Sequence, residues 1–265
     1  MLEFFGLARY ENGQYHFIRE AEGAWSAPHL IFVTAVLLLM VGLAVWIGRR
    51  DRNATPEKKN RVLLFAAILI NSFELVKIVV LCIRCQDVLH FRYVLPLFLC
   101  SIQLIAIPMA ALTHGRLKEA CLDFVLTFGI LGAVFGTVGA TQNYASYPVI
   151  SMDNVFSAIT HSISGFASLY IAISGMVSMK RKNFPITLSI LLGFAVTAYI
   201  ANLLIGYNYM FLMYHDGTPY SIFYDLVGGS PVLYPLTIVL IFVVYLLLFY
   251  WLVDLRRRRR SARSL

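Results

Sequence analysis

Apolar residues gather into seven blocks of about twenty residues along the chain. An α-helix needs about this length to cross roughly 30 Å of hydrocarbon, because each residue adds about 1.5 Å. Short polar segments separate the blocks, so each block is predicted to be one membrane-spanning helix. The predicted spans are residues 28–48, 62–83, 92–112, 120–140, 155–178, 186–207 and 231–253. The pattern predicts an all-α, polytopic membrane protein with a bundle of seven transmembrane helices.

Lysine and arginine residues concentrate on one side of the predicted spans. Of the 22 such residues, only Arg9, Arg19, Arg84 and Arg92 fall on the other side, and Lys77 lies inside a span. Because cytoplasmic loops carry the excess of basic residues, the N-terminus is predicted to lie outside and the C-terminus in the cytoplasm. The chain then divides into an amphipathic extracytoplasmic segment at 1–27, a seven-helix domain at 28–255 and a basic cytoplasmic tail at 256–265.

Composition narrows the class of protein. The chain is 59% hydrophobic and 14% charged, whereas a soluble domain carries about a quarter charged residues. The net charge of +8 comes largely from loops and from the run Arg256–Arg260, which is predicted to lie against an anionic membrane surface and not to bind nucleic acid. Four cysteines are too few for a disulfide framework. No metal or cofactor is predicted, because nothing near Cys82 and Cys85 completes a metal site.

A few polar side chains interrupt the apolar spans, where ionisable groups are costly and commonly functional. With about 1.5 Å of rise per residue, Glu74, Cys100, His161 and Asn202 all come to roughly 8–13 Å below the outer surface. Four predicted helices therefore place a polar group in one slab of the outer half of the membrane.

Helical spacing adds neighbours to these groups and predicts stripes that face a common cavity. In the fifth span the stripe is Ser157, His161, Ser164 and Ser168. The third and sixth spans carry the stripes Pro96, Cys100, Gln103 and Ile107, and Tyr199, Asn202, Gly206 and Tyr209.

Glycines in the fourth span and prolines in the third are predicted to shape the helices and their packing. Gly129, Gly132, Gly136 and Gly139 share one face of the fourth span, which predicts the close approach of another helix. Pro96 and Pro108 are predicted to bend the third helix.

A thiol and an imidazole at matching depth suggest nucleophilic catalysis. His161 would accept the proton of Cys100, and the thiolate would attack a carbonyl carbon. Lys77, Gln103 or Asn202 would stabilise the developing oxyanion. Glu74 would neutralise Lys77 or orient His161. A site in the outer leaflet without a water-soluble domain points to a lipid ester as substrate.

Other functions stay open at this point. A small-molecule transporter or channel would line its path with Glu74, Lys77 and Asn202, and a non-catalytic assembly factor would need no such path. A retinal-binding receptor would require a lysine in the last span, and a bis-histidine haem protein would require a second deep histidine. The sequence offers neither.

Two segments carry a resemblance to a known family. LPLFLCSIQ at 95–103 resembles the LPLHLC motif of the YwaF-like integral membrane proteins of bacteria. NLLIGYNYMFLM at 202–213 and GGSPVLYP at 228–235 resemble two further motifs of that family. The chain departs from the pattern at Phe98, where relatives carry histidine, and at Gly229 and Val232. The resemblance covers nearly the whole chain and implies a multi-pass protein of the bacterial cytoplasmic membrane.

The resemblance also implies an activity. YwaF-like proteins are similar to a eukaryotic seven-span acyltransferase that moves acyl chains between phospholipids, and distantly to androgen-induced hydrolases of fatty-acid esters. The nucleophile of that acyltransferase is a cysteine and its partner a histidine, and by motif these correspond to Cys100 and His161. Membrane lipids are the expected substrate, and Tyr209, within the second motif, is expected to support the site.

Overall fold

The computed structural model describes residues 1–263, and helices make up most of them. The helices are α1 (Ala27–Arg50), α2 (Pro56–Arg84), α3 (Gln103–Leu112), α4 (Gly115–Thr137), α5 (Thr141–Ser146), α6 (Met152–Ser174), α7 (Phe184–Ile205), α8 (Ser221–Leu226) and α9 (Leu233–Arg263). Short 3-10 turns lie at Val88–Tyr93, Arg181–Asn183 and Tyr209–Phe211, and two strands, β1 (Arg9–Glu11) and β2 (Gln14–His16), form an antiparallel hairpin.

Six helices in the described part of the chain are long and apolar enough to cross a membrane, namely α1, α2, α4, α6, α7 and α9. This confirms a polytopic helical membrane protein. Local sequence sets the helix ends: Ser151 caps α6 by accepting a hydrogen bond from the Asn154 N–H, and Gly175 and Gly206 end α6 and α7 in the left-handed conformation. The basic run continues α9 to Arg263, and the last two residues of the predicted tail lie outside the described residues.

The third predicted span is not one continuous helix, which corrects the prediction for residues 92–112. Residues 94–102 form turns, and only α3, ten residues long, is α-helical. Pro96 provides the physical reason, because proline has no N–H to donate and disfavours a helical conformation at the preceding Leu95. α3 runs antiparallel beside the first half of α2: Asn71 donates to the carbonyl of Leu104, and Asn60 to that of Ala111.

α4 and α6 form the centre of the bundle and pack closely against each other. The predicted close approach at the glycine face of α4 is present, since a Cβ on Gly129 would lie 2.7 Å from the Ser164 carbonyl oxygen. A Cβ on the adjacent Gly165 of α6 would overlap the sulfur of Met40 in α1 and would lie 2.5 Å from the Cβ of Ala133 in α4. Small residues therefore allow α6 to contact α1 and α4 at once.

The predicted basic loops lie together at one end of the bundle, which is here called the basic end (residues 49–61, 113–119 and 175–183). Lys118 donates to Asn60, Arg116 donates to the Lys182 carbonyl, and Lys180 pairs with Glu119. Hydrogen bonds and an ion pair thus join three separate loops. Loops of this kind lie at the same end of a bundle when successive helices run in alternating directions.

A buried carboxylate joins α9 to this end of the core. Asp123 of α4 is fully buried and accepts hydrogen bonds from the Met179 N–H at 2.6 Å and the Tyr250 hydroxyl at 2.9 Å. Thr187 of α7 bonds to the same tyrosine. The network ties α4, α7 and α9 together.

The N-terminal segment packs on the opposite end of the bundle. Its first turn hydrogen-bonds to α6 through the Met152 N–H and the Phe4 carbonyl, and Glu22 accepts from the Val149 N–H. Two backbone hydrogen bonds, from Arg19 and Ile18, hold the pKa of Glu3 below its ordinary value. The segment predicted to lie on the membrane surface thus forms a small hairpin-containing cap on this end.

A buried ion pair fastens this end of α2 to α6. Arg84 donates to both carboxylate oxygens of Asp153, at 2.9 and 2.8 Å, and its guanidinium lies over the rings of Phe17 and Tyr147. Both charged side chains are less than 10% exposed. In a buried environment each charge of a bidentate pair compensates the other, so removal of one partner leaves an uncompensated buried charge.

Asp153→Asn is therefore expected to destabilise the protein by about 3–5 kcal/mol, because it leaves the buried guanidinium uncompensated. The measurement is the thermal unfolding midpoint in a mild detergent. Asp225→Asn, at an exposed position of α8, serves as the control and should leave the midpoint unchanged. Equal midpoints for Asp153→Asn and the wild type would contradict this role of the ion pair.

Candidate functional site

A small cavity lies within the bundle between α2, the turn at 94–102 and α6. Its volume is about 40 Å³, enough for one or two water molecules. Polar side chains from all three elements line it: Glu74, Lys77, Cys100, Ser101, Ser157 and His161. Of the predicted site residues, the cavity brings together Glu74, Lys77, Cys100 and His161.

The thiol of Cys100 and the imidazole of His161 both line this cavity, close enough for each to influence the other electrostatically. Ser101, the next residue of the turn, lines the cavity as well. Cys100 lies in the non-helical turn that Pro96 begins, and His161 lies in the first half of α6. Irregular backbone at membrane depth is tolerated where protein buries it or where it lines a cavity, and this turn meets that condition.

The orientation of the imidazole follows from its bond to the backbone. His161 Nδ1 lies 2.7 Å from the carbonyl oxygen of Ser157, one turn earlier in α6. A carbonyl only accepts hydrogen bonds, so Nδ1 carries the proton. In the neutral ring Nε2 is then unprotonated and is the nitrogen free to accept the proton of the thiol.

Two glycines of α4 form the wall against which this pair lies. A Cβ on Gly132 would lie 3.3 Å from the Cβ of Cys100. A Cβ on Gly136 would overlap the Cδ2 and Nε2 atoms of His161. These glycines are one helical turn apart, about 6 Å along the axis. They let the thiol and the ring lie side by side against α4. The sequence had predicted only that another helix would pack closely on these glycines.

Glu74 and Lys77 form an ion pair in the cavity wall. The ammonium of Lys77 lies 2.6 Å from one carboxylate oxygen of Glu74 and 2.7 Å from the other, and both side chains are at most 20% exposed. The predicted neutralisation of one by the other therefore takes place. Glu74 makes no hydrogen bond with His161 among the described contacts, so the ring is oriented by Ser157 instead.

Gln103 lies at the first position of α3, three residues after Cys100. Its side chain is fully buried, and neither its amide nitrogen nor its amide oxygen has a hydrogen-bond partner in the described part of the chain. An unpartnered buried amide is costly, so it is a group available to a ligand or a water molecule. The backbone N–H groups of Cys100 and Ser101 likewise donate to no protein acceptor among the described residues.

Asn202 and Tyr209 do not line the cavity, which corrects the expectation of a shared site. Asn202 donates to the Tyr209 carbonyl at 3.0 Å and accepts from its N–H at 2.6 Å, so its amide is committed to the backbone. The Tyr209 hydroxyl accepts from the Leu95 N–H and donates to the Arg92 carbonyl. These two residues hold the chain that leads into the Cys100 turn.

Phe98, the position at which the chain departs from the resembling motif, has a packing role. Its ring contacts the rings of Tyr207, Tyr209 and Phe211 at centroid distances of 5.2–6.2 Å. This aromatic cluster lies outside the cavity and joins the Cys100 turn to the segment after α7.

A second cysteine and histidine lie together at the C-terminal end of α2. The sulfur of Cys85 is 3.6 Å from Nε2 of His90. Burial raises the pKa of the Cys85 thiol and lowers the pKa of the His90 imidazole. Both shifts favour neutral side chains, so this pair is poorly suited to form a thiolate.

Sequence reasoning missed several groups of the cavity. Ser101 was passed over although it adjoins Cys100, and Thr160 belongs to the cavity wall without lying on the predicted stripe. The buried Asp123 was also missed, although a carboxylate in the fourth span was a signal for a polar network.

Comparison with known proteins identifies the family. The sequence profile of the TMEM164 family matches residues 24–253, which include five of the six long apolar helices, most of α9, the Cys100 turn and the residues that line the cavity. No curated protein and no solved structure matches the chain. The match covers most of the sequence, and the chain therefore belongs to the TMEM164 family.

Proposed function

We propose that this protein is a membrane enzyme that transfers or hydrolyses the acyl chains of lipid esters, with Cys100 as nucleophile and His161 as general base. The observation that carries the proposal is the shared cavity of the thiol and the imidazole, together with the Nδ1 contact to Ser157 that leaves Nε2 unprotonated. A nucleophile, a base and a group that orients the base are the parts that covalent acyl transfer needs.

The first half of the reaction forms a thioester. Nε2 of His161 accepts the thiol proton, and the sulfur of Cys100 attacks the ester carbonyl carbon. The tetrahedral intermediate then breaks its carbon–oxygen bond, and the imidazolium returns the proton to the departing lipid hydroxyl. The products of this half are an acyl-enzyme and a lysolipid.

The second half removes the acyl chain. A lysolipid hydroxyl, or water, gives its proton to Nε2 and attacks the thioester carbonyl. The carbon–sulfur bond breaks, and the thiolate regains its proton from the imidazolium. An acceptor lipid gives transfer, and water gives hydrolysis.

The negative charge on the intermediate requires donors near Cys100. The free N–H groups of Cys100 and Ser101 are suited to this role. The amide of Gln103 is unpartnered as well, but Gln103 is not among the residues that line the cavity. Lys77 is less suited than the sequence suggested, because Glu74 neutralises it. Asn202 is excluded from this role by its two bonds to Tyr209.

The size of the cavity is compatible with a substrate that enters from the lipid. A cavity of about 40 Å³ cannot enclose an acyl chain. Only the ester group needs to reach the thiol, while the chain remains among lipid tails beside α2. Membrane lipids are accordingly the proposed substrates.

The proposed topology has seven crossings with the N-terminus outside. The six long helices supply six crossings, and residues 92–112 supply the seventh as turns followed by α3. Hydrogen bonds among the loops of the basic end support alternating directions, and the excess of basic residues assigns that end to the cytoplasm. The Cys100 cavity then lies in the outer half of the bacterial cytoplasmic membrane. Kinship with YwaF-like proteins and with the seven-span acyltransferase is part of this proposal.

The general base is tested by His161→Gln in an assay with a labelled phospholipid donor and a lysophospholipid acceptor in mixed micelles. Turnover is expected to fall by about 10²–10⁴-fold, because the thiol loses its proton acceptor. His90→Gln is the matched control, since His90 also lies beside a cysteine, and it should retain turnover.

The same purified variants distinguish the enzyme from a transporter. A transporter or channel would show solute flux that depends on Glu74 and not on Cys100 or His161. Full turnover in His161→Gln, or flux lost only in Glu74→Gln, would remove the catalytic proposal.

A further inference from the structure

A second and larger cavity lies at the basic end, far from Cys100. Its volume is about 240 Å³, and α2, α4 and the segment after α6 form its walls. Lys59 on its rim precedes Glu74 by fifteen residues of α2, which corresponds to about 22 Å along the helix. Its lining consists of Pro56, Lys59, Lys118, Leu122, Gly175 and Met176.

Two ammonium groups face this cavity, and each is held by a neutral oxygen. Lys59 donates to the carbonyl of Arg52 at 2.9 Å, and Lys118 donates to the Asn60 side-chain oxygen at 2.6 Å. The Asn60 amide nitrogen is itself fixed by the Ala111 carbonyl. The two lysines are thus positioned, but no ion pair among the described residues includes either of them.

Two carboxylates of the neighbouring loops are already paired elsewhere, and Glu57, in the first turn of α2, forms no ion pair with either lysine among the described residues. Asp51 is fully buried and binds Arg50 and Lys58, and it accepts a hydrogen bond from the Tyr170 hydroxyl. The bond from Arg50 holds the pKa of Asp51 below its ordinary value, so this carboxylate stays charged and engaged. Glu119 pairs with Lys180. The positive charge at the cavity therefore remains uncompensated.

The other walls of the cavity are apolar. Leu122 and Met176 provide hydrocarbon surface next to the two ammonium groups. A ligand complementary to this cavity has a compact anionic group that pairs with the two ammonium groups and a hydrocarbon part that packs on the apolar wall. The first turns of α2 and α4, where Pro56 and Lys118 lie, also favour an anion electrostatically.

We propose that this cavity binds a phosphate ester, whose phosphate lies between Lys59 and Lys118 and whose carbon skeleton packs on Leu122 and Met176. The same chemistry occurs in an anionic lipid headgroup and in a soluble organic phosphate. This site is independent of the Cys100 cavity, so failure of one proposal leaves the other standing.

The test measures the thermal unfolding midpoint of the detergent-solubilised protein at fixed ionic strength. The probes are dihexanoyl phosphatidic acid, glycerol 3-phosphate and zwitterionic dihexanoyl phosphatidylcholine. A ligand that binds the folded state raises the midpoint with its concentration. Phosphatidic acid is expected to give a saturable rise that phosphatidylcholine does not give. A similar rise with glycerol 3-phosphate would assign the site to phosphate esters in general, and its absence would assign it to lipid.

Lys59→Gln/Lys118→Gln should weaken this binding at least about tenfold, because two charge-assisted contacts are lost. The control Arg61→Gln/Lys182→Gln removes two exposed charges at the same end and should bind like the wild type. Lys59→Arg/Lys118→Arg keeps the charge and should retain binding, which separates loss of the site from loss of folding. No rise with any phosphate probe, or an equal rise in the Lys59→Gln/Lys118→Gln variant, would overturn the proposal.

Discussion

Cys100→Ala is expected to lower acyl turnover by about 10³-fold or more, because the variant has no atom that can form the acyl-enzyme. Cys100→Ser should be similarly inactive, since a hydroxyl is a far weaker nucleophile than a thiol when the base is tuned to the thiol. The measurement is transfer of a labelled acyl chain from donor to acceptor phospholipid in mixed micelles.

Cys85→Ala is the matched control for this prediction. Cys85 also lies beside a histidine, His90, but burial favours the neutral form of both side chains. Turnover should therefore persist in this variant. Wild-type turnover in Cys100→Ala would contradict the assignment, and loss of turnover only in Cys85→Ala would move the active site to the C-terminal end of α2.

Gly136→Ala is expected to lower turnover by about 10²-fold, although the residue itself has no chemistry. The added methyl group would overlap the His161 ring at Cδ2 and Nε2, so the ring would have to leave its place beside Cys100. Displacement of a catalytic group by about 1 Å costs on this order in rate. The added methyl should also cost about 1–3 kcal/mol of stability through overpacking.

Two measurements make the Gly136 prediction specific. Gly193→Ala changes an exposed glycine of α7 whose new Cβ would meet nothing within 4 Å, so its turnover should equal that of the wild type. The unfolding midpoint of Gly136→Ala shows whether the variant remains folded at the assay temperature. A folded Gly136→Ala protein with full turnover would show that the position of His161 against α4 is unimportant.

The six long helices could be predicted because each contains its own signal, a block of about twenty apolar residues with polar ends. The turn at 94–102 could not, because hydropathy measures how apolar a segment is and not whether its backbone is helical. Pro96 was visible, but a proline in an apolar segment is compatible with a kinked helix as well as with a turn. The surrounding contacts, such as the Tyr209 bonds to Arg92 and Leu95, decide between the two.

The candidate site could be predicted only in part, because the sequence gives the position of a residue along a helix but not the direction in which its side chain points. Helix rise gives the depth of a residue, so Glu74, Cys100 and His161 were expected at one level, and all three line one cavity. Depth does not give the direction around the bundle. Asn202, at a similar depth, therefore turned out to face Tyr209 and not the cavity.

Contacts between distant segments account for the remaining differences. The role of Gly136 as the wall behind His161 depends on how α4 and α6 are rotated about their axes, which no spacing rule specifies. The N-terminal cap depends on contacts of Phe4 with Met152 and of Glu22 with Val149, which are far apart along the chain. Such pairings belong to the folded protein and have no local sequence signal.

The most direct test of the central claim is mass spectrometry of the wild-type protein after incubation with a phospholipid donor, without acceptor, and an acid quench. The account predicts that the peptide containing Cys100 gains the mass of one acyl chain, that neutral hydroxylamine removes it, and that Cys100→Ala lacks it. Turnover that proceeds while Cys100 stays unmodified, or an acyl chain found on a different residue, would contradict the account.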